Sequence, residues 1–532
     1  MKEIKELIFE ELSVEQKLGL AHIIDINGWA RRENPKNVEF ILDLIKNHAL
    51  GGVWVQYSTP DAQEIIDLVK ETADYPILIF TDAESGIKTE AAEYLVGKHN
   101  AIGCTDSEEH AYAFGKVIGI AAKKMGYNIV CNPLLDISTT GSARSLGSDK
   151  TKVARLAAAE ARGMHDAGVL TVGKHYPSGI NYKNIDSHMA ESESLQTKEE
   201  LLEYSLYAYK ELMKDDLLDG LMSSHIKCSN IDPDYPSSLS KKVINIIREE
   251  GYNGLILTDA LCMMGILSKF GYDASRGLAI AAGNDLALPY DSKYKESYEA
   301  LVKCYNEGMI TDERLDEAVK RVLAAQKKTL NPAKYTEITE EDLKLFKSIN
   351  KDAVTAKFDE GLTANISRDG KHYFVLMVRN EEKVGGDGGV SVDTFSNGWL
   401  YPQEVTEQIL KYFPNSTVKC IHQFPTQGHC HRTVSFSIDY DDVIFITFSE
   451  FLAYCGREHL TRRVETLIEA LQLTNRISTL VHFGNPCVLE NLPHIPRYIL
   501  APTSRESVAA AIDVLAGEYP ANGKLTYEIT LN

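Results

Sequence analysis

Long apolar runs are missing from the 532-residue sequence, and none reaches the roughly 18 residues that a membrane-spanning helix needs. A secretory signal is missing as well, because residues 1–11 mix lysine and glutamate instead of leading from a basic start into an apolar core. The nine cysteines form no CxxC pair, and an odd number without that spacing is typical of reduced thiols. These absences predict a soluble, cytoplasmic protein with no membrane partner.

Positive charge is also in deficit, with 56 lysines and arginines against 76 aspartates and glutamates. The formal net charge of −20 at pH 7 repels polyanions, so nucleic acid is excluded as a partner. We therefore expect a small substrate that is neutral or charged only locally. The hydrophobic share of 44% is ordinary for a globular protein. Nothing in the sequence decides the oligomeric state, and a homo-oligomer remains open.

The first part of the chain alternates short apolar runs with amphipathic stretches. Eight strand-length runs lie at 20–26, 52–55, 77–81, 127–131, 169–172, 220–223, 255–258 and 285–288. Buried strands that alternate with helices form parallel sheets, and eight such units predict an α/β fold with a (β/α)8 TIM-like barrel over residues 1–330. An open, doubly wound sheet is the alternative architecture.

After this region the composition changes. Residues 331–365 are polar and contain proline before a helical stretch, and we assign them as a linker with one helix. A new series of apolar runs follows, at 373–378, 417–421, 443–448, 479–483 and 498–501. Helical patterns lie between these runs, so residues 366–532 are predicted to form a second domain, a C-terminal α/β sandwich.

Two patterns in the second domain resemble ligand sites. The glycines Gly385, Gly386, Gly388 and Gly389 follow its first predicted strand, but the helix entry of a phosphate-binding loop is missing, which favours a plain loop. A histidine-rich stretch contains His422, His429, Cys430 and His431, and its spacings match no zinc site. The sequence therefore predicts no metal and no organic cofactor.

Polar and charged side chains recur where the predicted barrel strands end, which is the edge where barrel enzymes place their catalytic groups. The positions are Asp82, Lys174, His175, His225 and Asp259. The loop after the fifth strand adds Asp186 and His188. Such side chains at the same position of successive strands indicate an enzyme site. For Asn132 and Asp136, at the end of the fourth strand, we favour a structural role.

Several stretches in this order resemble known motifs. They are KHYPSG followed by DSH, then MSSHIKCSNIDPDYPSSLS, LILTDALCMMGI and AGNDLALP. Together they resemble the strand-end motifs of family 3 glycoside hydrolases, in the branch that contains bacterial β-N-acetylhexosaminidases. The second domain is more loosely similar to the α/β sandwich of two-domain members, through HFGNPCVL and GEYPANGKL.

The resemblance implies a retaining mechanism in which Asp259 is the nucleophile. It implies that Asp186 and His188 form a dyad that supplies the general acid/base. It also implies that the sugar hydroxyls are held by Asp82, Arg144, Lys174 and His175, and we place His225 of MSSHI with this group.

Two stretches depart from the family pattern. KHYPSGI lacks the second histidine of KHFPGHG, and ESGIK has Ile87 where an arginine is usual. Both changes lie beside the sugar pocket, so they bear on the choice of substrate.

The chemistry supports these roles independently. Glycoside cleavage passes through an oxocarbenium-like cation, which needs an anion at the anomeric carbon and a proton donor at the leaving oxygen. Asp259 can supply the anion. An imidazole, with an ordinary pKa of about 6.5, can donate and then accept a proton within one cycle, which suits His188. Asp186 is placed two residues earlier to orient the ring and stabilise its charged form.

The sequence thus predicts an exo-acting β-N-acetylglucosaminidase that cleaves terminal β-linked N-acetylglucosamine from a small carbohydrate. A β-N-acetylglucosaminide phosphorylase is one alternative, because a neutral acid/base repels an incoming phosphate less than a carboxylate does. A β-glucosidase of the same family and a catalytically inactive sugar-binding protein are the others. If His188 is not the acid, Glu84 and His225 are the next candidates.

Overall fold

The computed structural model describes residues 4–26, 35–59, 61–139, 141–181, 185–291, 293–379, 381–384, 390–393, 400–449 and 459–531. Within these ranges the chain forms two α/β units, built on a seven-stranded sheet and a six-stranded sheet. Each unit has its own cluster of buried apolar side chains. Among the described helices, none combines the length and the apolar character of a membrane span.

The first sheet is parallel and follows chain order. Its strands are β1 (Ile23–Asp25), β2 (Gly52–Trp54), β3 (Leu78–Thr81), β4 (Ile129–Val130), β5 (Leu170–Tyr176), β6 (Gly220–Ser223) and β7 (Leu255–Thr258). Residues 285–288 close the circle, because Leu286 bridges to Leu257 on one side and Ala287 bridges to His22 on the other. The predicted (β/α)8 barrel is therefore confirmed.

Helices surround this sheet. Those of six residues or more are α1 (Val14–Leu20), α2 (Pro35–Lys46), α3 (Ala62–Thr72), α4 (Asn100–Thr105), α5 (Glu108–Met125), α6 (Lys150–Asp166), α7 (Tyr207–Lys214), α8 (Lys241–Glu249), α9 (Met264–Phe270), α10 (Tyr272–Ala282), α11 (Tyr294–Asn306) and α12 (Asp312–Lys328). Helix α5 shows how they are bounded. Its cap Ser107 accepts a hydrogen bond from the His110 N–H, and it ends at Gly126, whose φ of 106° suits glycine.

Apolar side chains fill the interior of the barrel. They include Trp54 and Phe80, whose rings stack with centroids 6.2 Å apart, together with Met222 and Leu257. Because this interior leaves no room for a polar site, functional groups have to lie at the carboxyl ends of the strands and in the loops that follow.

The second sheet contains β8 (Thr355–Phe358), β9 (His372–Val378), β10 (Thr417–His422), β11 (Asp442–Phe448), β12 (Ile477–Phe483) and β13 (Arg497–Ala501). Their spatial order is β8-β13-β12-β11-β9-β10. All neighbours are parallel except β8, which runs antiparallel to β13 at one edge. This is the predicted C-terminal α/β fold. Residues 331–365, which we assigned to the linker, contribute strand β8 to the sheet of this second unit.

Helix α13 (Glu340–Asp352) leads from one unit to the other, and its Phe346 and Ile349 are buried in the apolar cluster of the barrel. The helices of the second unit are α14 (Pro402–Tyr412), α15 (Gln427–Ser437), α16 (Arg462–Leu473) and α17 (Arg505–Leu515). The two units are joined by contacts beside the barrel strand ends. Asn350 of α13 accepts a hydrogen bond from the Gly97 N–H at 2.7 Å. Beyond α17 the chain returns to the barrel, where the Lys524 N–H donates to the Cys104 carbonyl at 2.8 Å.

Candidate active site

Two carboxylates share one buried cation at the end of β3. The ammonium of Lys174, a residue of β5 that is 1% exposed, contacts Asp82 Oδ1 and lies 2.7 Å from Glu84 Oε1. Burial opposes the charge of Lys174, but the two carboxylates outweigh it and raise the pKa of this lysine. Burial raises the pKa of Asp82, and the attraction of Lys174 only partly offsets this. The group is therefore a compact ionic cluster in which the Asp82 side chain is the more exposed end.

Arg144 and His175 extend this cluster toward Asp136. Arg144 donates from Nε and Nη2 to the two oxygens of Glu84, at 2.7 and 2.6 Å, and its Nη2 lies 3.3 Å from His175 Nε2. His175 Nδ1 lies 2.6 Å from Asp136 Oδ2. Because a carboxylate only accepts, the proton is on Nδ1, and Nε2 can accept from Arg144. Burial raises the pKa of Asp136, but His175 outweighs it and the net pKa is lowered.

Asp259 follows directly after β7. Its N–H donates to the Ser223 carbonyl on β6 at 2.9 Å, and its Oδ1 accepts from the Ala260 N–H at 2.7 Å. Burial alone would raise the pKa of Asp259, but nearby His175 and His225, with the Ala260 N–H, overcome this and lower it. Asp259 is therefore an anion at neutral pH, as a carboxylate nucleophile has to be.

His225 lies behind Asp259 and is 1% exposed. Its Nε2 donates to the Ala260 carbonyl at 2.9 Å, and its Nδ1 lies 2.8 Å from Ser238 Oγ. Burial lowers the pKa of this histidine, against the attraction of Asp259. Since protein atoms engage both ring nitrogens, the ring holds the backbone next to Asp259.

Asp186 and His188 lie on the loop after β5. His188 Nδ1 is 2.7 Å from Asp186 Oδ1, and the His188 N–H donates to the same oxygen at 3.0 Å. The loop is fixed against the start of α9, where Met264 and Gly265 donate their N–H groups to the carbonyls of His188 and Ser187. A Cβ at position 265 would lie 2.8 Å from the Ser187 oxygen, so glycine allows this close approach.

These groups meet at one cavity of about 220 Å³. Its charged and titratable lining residues are Asp136, Arg144, His175, His188 and Asp259. Most of the remaining wall is serine and isoleucine, among them Ser138, Ser178, Ile180, Ser224 and Ile226. Such a mixture fits a ligand that has both hydroxyl groups and apolar ring faces.

A buried polar network holds the turn that carries Asp82 and Glu84. Asn132 accepts from the Ala83 N–H at 3.2 Å and donates to Glu160 at 3.0 Å. His99 Nε2 lies 2.8 Å from Glu160, with both side chains fully buried, and its Nδ1 donates to the Glu84 carbonyl at 3.1 Å. Burial lowers the pKa of His99, but Glu160 outweighs it and the net pKa is raised. The network therefore contains a buried ion pair that supports the turn.

The predicted site residues lie on the wall of the cavity or directly around it. Arg144, His175, His188 and Asp259 line the cavity. Asp186 stands directly behind His188, and Asp82 with Lys174 forms the ionic cluster next to Arg144. His225 lies behind Asp259.

The sequence analysis did not assign four residues that the structure places in or around the site. Asp136 was given a structural role, although it follows a strand end as the others do. Glu84 was considered only as a reserve acid. His99 and Glu160 belong to no motif, but a single carboxylate in the alanine-rich stretch 156–161 of α6 is a signal that could have revealed Glu160.

The patterns of the second domain lie elsewhere. The four glycines between 385 and 389 fall outside the described residues. His422 ends β10, while His429, Cys430 and His431 lie on α15. In the part of the chain that the structure describes, no three histidine, cysteine or acidic side chains gather as metal ligands would.

Comparison with known proteins gives the family. The family model described as the glycosyl hydrolase family 3 N terminal domain matches residues 13–325. A β-N-acetylglucosaminidase/β-glucosidase of Cellulomonas fimi is 28% identical over 304 residues, which are 54% of this chain and 54% of that enzyme. A β-hexosaminidase of Haemophilus influenzae is 30% identical over 236 residues, which are 42% of this chain and 67% of that enzyme. The match thus spans about half the length of the Cellulomonas enzyme.

Solved structures agree on the fold over almost the whole chain. A glycoside hydrolase family 3 β-N-acetylglucosaminidase from Paenibacillus sp. str. FPU-7 superposes with a TM-score of 0.79, at 23% identity, over 98% of this chain and 100% of that one. The β-glucoside phosphorylase BglX gives 0.77, also at 23% identity, over 98% and 94%. The order of a barrel followed by an α/β domain is therefore shared with both.

Proposed function

The chain belongs to glycosyl hydrolase family 3, and from this premise we propose that it is a retaining, exo-acting β-N-acetylglucosaminidase. One observation carries the proposal: Asp259, held as an anion, and His188, oriented by Asp186, line the same cavity. The curated relatives support the sugar, since the Haemophilus enzyme is named a β-hexosaminidase. The substrate is a small carbohydrate that ends in β-linked N-acetylglucosamine.

In the first step, a carboxylate oxygen of Asp259 bonds to the anomeric carbon while the bond to the leaving oxygen breaks. The leaving oxygen takes a proton from His188 Nε2, because Nδ1 is engaged by Asp186. The lowered pKa of Asp259 keeps it ionised for this attack. His225 fixes the Ala260 backbone, whose N–H keeps one carboxylate oxygen in place.

In the second step, water attacks the anomeric carbon from the side that the aglycone has left. His188 Nε2 takes a proton from this water, the bond to Asp259 breaks, and the carboxylate is restored. The product keeps the β configuration because the carbon is inverted twice. Both steps use side chains of this chain and water.

The ionic cluster is assigned to holding the sugar. Asp82 offers carboxylate oxygens that accept from hydroxyls, and Arg144 and Lys174 supply donors. His175 is held by Asp136 and adds its ring at the cavity wall. The chain of contacts from Asp82 to Asp136 keeps these groups rigid, which favours positioning of the anomeric carbon against Asp259.

A screen of chromogenic substrates tests the proposal. The purified chain should release nitrophenol from 4-nitrophenyl β-N-acetylglucosaminide much faster than from the β-glucoside, and the released sugar should first appear as the β anomer. A preference for the β-glucoside would reassign the substrate. Binding of N-acetylglucosamine without turnover of any glycoside would instead support a sugar-binding protein.

Phosphorolysis is the second candidate, and one observation favours it. The acid/base here is an imidazole rather than a carboxylate, so an incoming phosphate meets no negative acid/base. The same screen in millimolar phosphate separates the reactions. N-acetylglucosamine 1-phosphate as the main product, with a faster rate, identifies a phosphorylase, whereas free sugar at an unchanged rate leaves hydrolysis.

A further inference from the structure

Arg144 lies on a barrel loop that has almost no regular structure of its own. We define the arginine loop as residues 141–148, between Asp136 and the start of α6. Inside the loop, Ser145 Oγ donates to the Asp136 carbonyl at 2.6 Å. This bond links the loop to the backbone of Asp136, the residue whose carboxylate holds His175. Further support comes from outside the barrel.

Thr526 and Tyr527, far along the chain, contact the arginine loop directly. The hydroxyl of Tyr527 donates to the Ser142 carbonyl and lies 3.4 Å from the Ser145 carbonyl. The Ser148 N–H donates to the Thr526 carbonyl at 2.9 Å. Thr526 and Tyr527 are 6% and 4% exposed, so these contacts are buried.

The position of the tyrosine hydroxyl matters because its two acceptors flank Arg144 in sequence. The hydrogen bond to the Ser142 carbonyl, with the Ser145 carbonyl 3.4 Å away, fixes the backbone on both sides of the arginine. The guanidinium then reaches Glu84 and His175 from a fixed backbone.

A second contact on the same loop comes from the segment after β12. Gly141 has a φ of 79°, and a Cβ there would lie 2.0 Å from Asn485 Oδ1. Asn485 is itself held, because its N–H donates to Ser449 Oγ at 2.9 Å and its Oδ1 accepts from the Cys487 N–H at 3.0 Å. The second domain therefore contacts the arginine loop through Asn485, a side chain that its own hydrogen bonds hold in place.

We propose that Tyr527 is a positioning residue for the sugar site, acting through Arg144, and that the second domain and the segment after it complete the active site in this way. The inference rests on the proposed function, since Arg144 is assigned to the sugar. It gives the C-terminal part of the chain a role in substrate binding. A small displacement of a group that positions substrate is costly even when it lies away from the reacting atoms.

Tyr527→Phe removes only the hydroxyl, and Tyr519→Phe is the matched control. Tyr519 precedes Tyr527 by eight residues, and its hydroxyl donates to Asp352 at 2.7 Å, away from the arginine loop. Tyr527→Phe should lower kcat/KM about tenfold, mainly through KM, and equally for good and poor leaving groups. Tyr519→Phe should keep kcat/KM within about twofold of wild type. Wild-type kinetics for Tyr527→Phe would overturn the proposal.

A double-mutant cycle with Arg144→Lys tests whether Tyr527 acts through Arg144. If Tyr527 acts through Arg144, Tyr527→Phe should cost much less than tenfold in the Arg144→Lys background. The same tenfold loss in both backgrounds would show that the tyrosine does not act through the arginine. Gly141→Ala should displace the arginine loop where it contacts Asn485, and should raise KM as Tyr527→Phe does. It is the substitute variant if Tyr527→Phe does not fold.

Calorimetric titration with N-acetylglucosamine separates this inference from the proposed function. If wild type binds the sugar but turns over no glycoside, the proposed function has failed while the inference still predicts weaker binding by Tyr527→Phe than by Tyr519→Phe. Equal binding by both variants and wild type would overturn the inference.

Discussion

The carboxylate of Glu84 accepts two hydrogen bonds from the guanidinium of Arg144, at 2.6 and 2.7 Å. Lys174 lies 2.7 Å from the same carboxylate. Burial opposes the charge of Glu84, but the two cations outweigh it and hold its pKa well below the usual range. A bidentate pair fixes the direction of the guanidinium as well as its position, which a single ion pair does not. The proposed sugar site is thus built around a buried anion, Glu84, that does not itself line the cavity.

Replacing Arg144 with lysine tests the importance of this geometry. Arg144→Lys keeps the charge but loses one of the two bonds to Glu84 and the contact with His175. We expect kcat/KM to fall about 10- to 100-fold, largely through KM. The control is Arg155→Lys, because Arg155 also pairs with a carboxylate, Asp106, outside the site. Equal kinetics for the two variants would show that the direction of the guanidinium at position 144 is unimportant.

Asp259→Asn should abolish turnover while the protein stays folded. The amide keeps the size of the side chain but cannot form the covalent glycosyl bond. A mechanism-based fluorosugar should label Asp259 in the wild type, and peptide mapping by mass spectrometry checks the position. A label on another carboxylate would refute the assignment of the nucleophile.

His188→Ala should slow cleavage of a poor leaving group about 10²- to 10⁴-fold, because that departure needs a proton. A nitrophenol leaves with little help, so its first step should be nearly unaffected and release of the sugar should limit the rate. Azide should then restore turnover by attacking without a base. Asp186→Asn should show the same pattern more mildly, since the ring remains but loses its orienting charge. Equal losses for both leaving groups without azide rescue would exclude His188 as the acid/base.

Glu160→Gln should destabilise the protein in a pH-dependent way. It leaves His99 buried without its partner, at a cost on the order of 3 kcal/mol in the free energy of unfolding. The folded-state pKa of His99 is raised above its ordinary value of about 6.5. The stabilisation that the His99–Glu160 pair gives the folded protein is therefore complete below about pH 6.5, and it is lost as the pH rises through the folded-state pKa of His99.

Urea unfolding at several pH values measures this effect. The difference between wild type and Glu160→Gln should be largest near pH 6 and should shrink toward pH 9. Glu337→Gln is the control, because its 77%-exposed side chain pairs with Lys124 at the surface and should cost well under 1 kcal/mol. A difference that grows with pH would contradict the ion pair.

The barrel and its strand-end groups were predictable because one rule governs both. The carboxyl ends of parallel strands lie at one edge of the sheet. A charged residue that follows an apolar run can therefore be placed at that edge before any distance between side chains is known. This rule selected Lys174, His175 and Asp259, and the structure places His175 and Asp259 on the wall of one cavity and Lys174 in the ionic cluster beside it. The closing segment was also found, although its pairing is limited to single bridges at Leu286 and Ala287.

The supporting residues could not be predicted in the same way. His99 and Glu160 meet through the fold, and neither has a local partner in sequence that would mark it. Asp136 looked like an ordinary residue after a strand, and only the geometry shows its bonds to His175. Tyr527 belongs to no motif. Such partners depend on contacts between distant segments, which composition and periodicity do not encode.

The bond between Tyr527 and Ser142 joins residues 385 positions apart in the chain. A ribosome adds about 5–20 residues per second, so roughly 20 to 80 seconds separate the synthesis of the two ends. In the later part of that time the nascent chain already contains Arg144, His188 and Asp259, but the Tyr527 hydroxyl that contacts the arginine loop has not been made. From the role proposed for Tyr527 we therefore expect full affinity for sugar to arise late in biosynthesis, and a prematurely terminated chain to bind sugar weakly even where its barrel has folded.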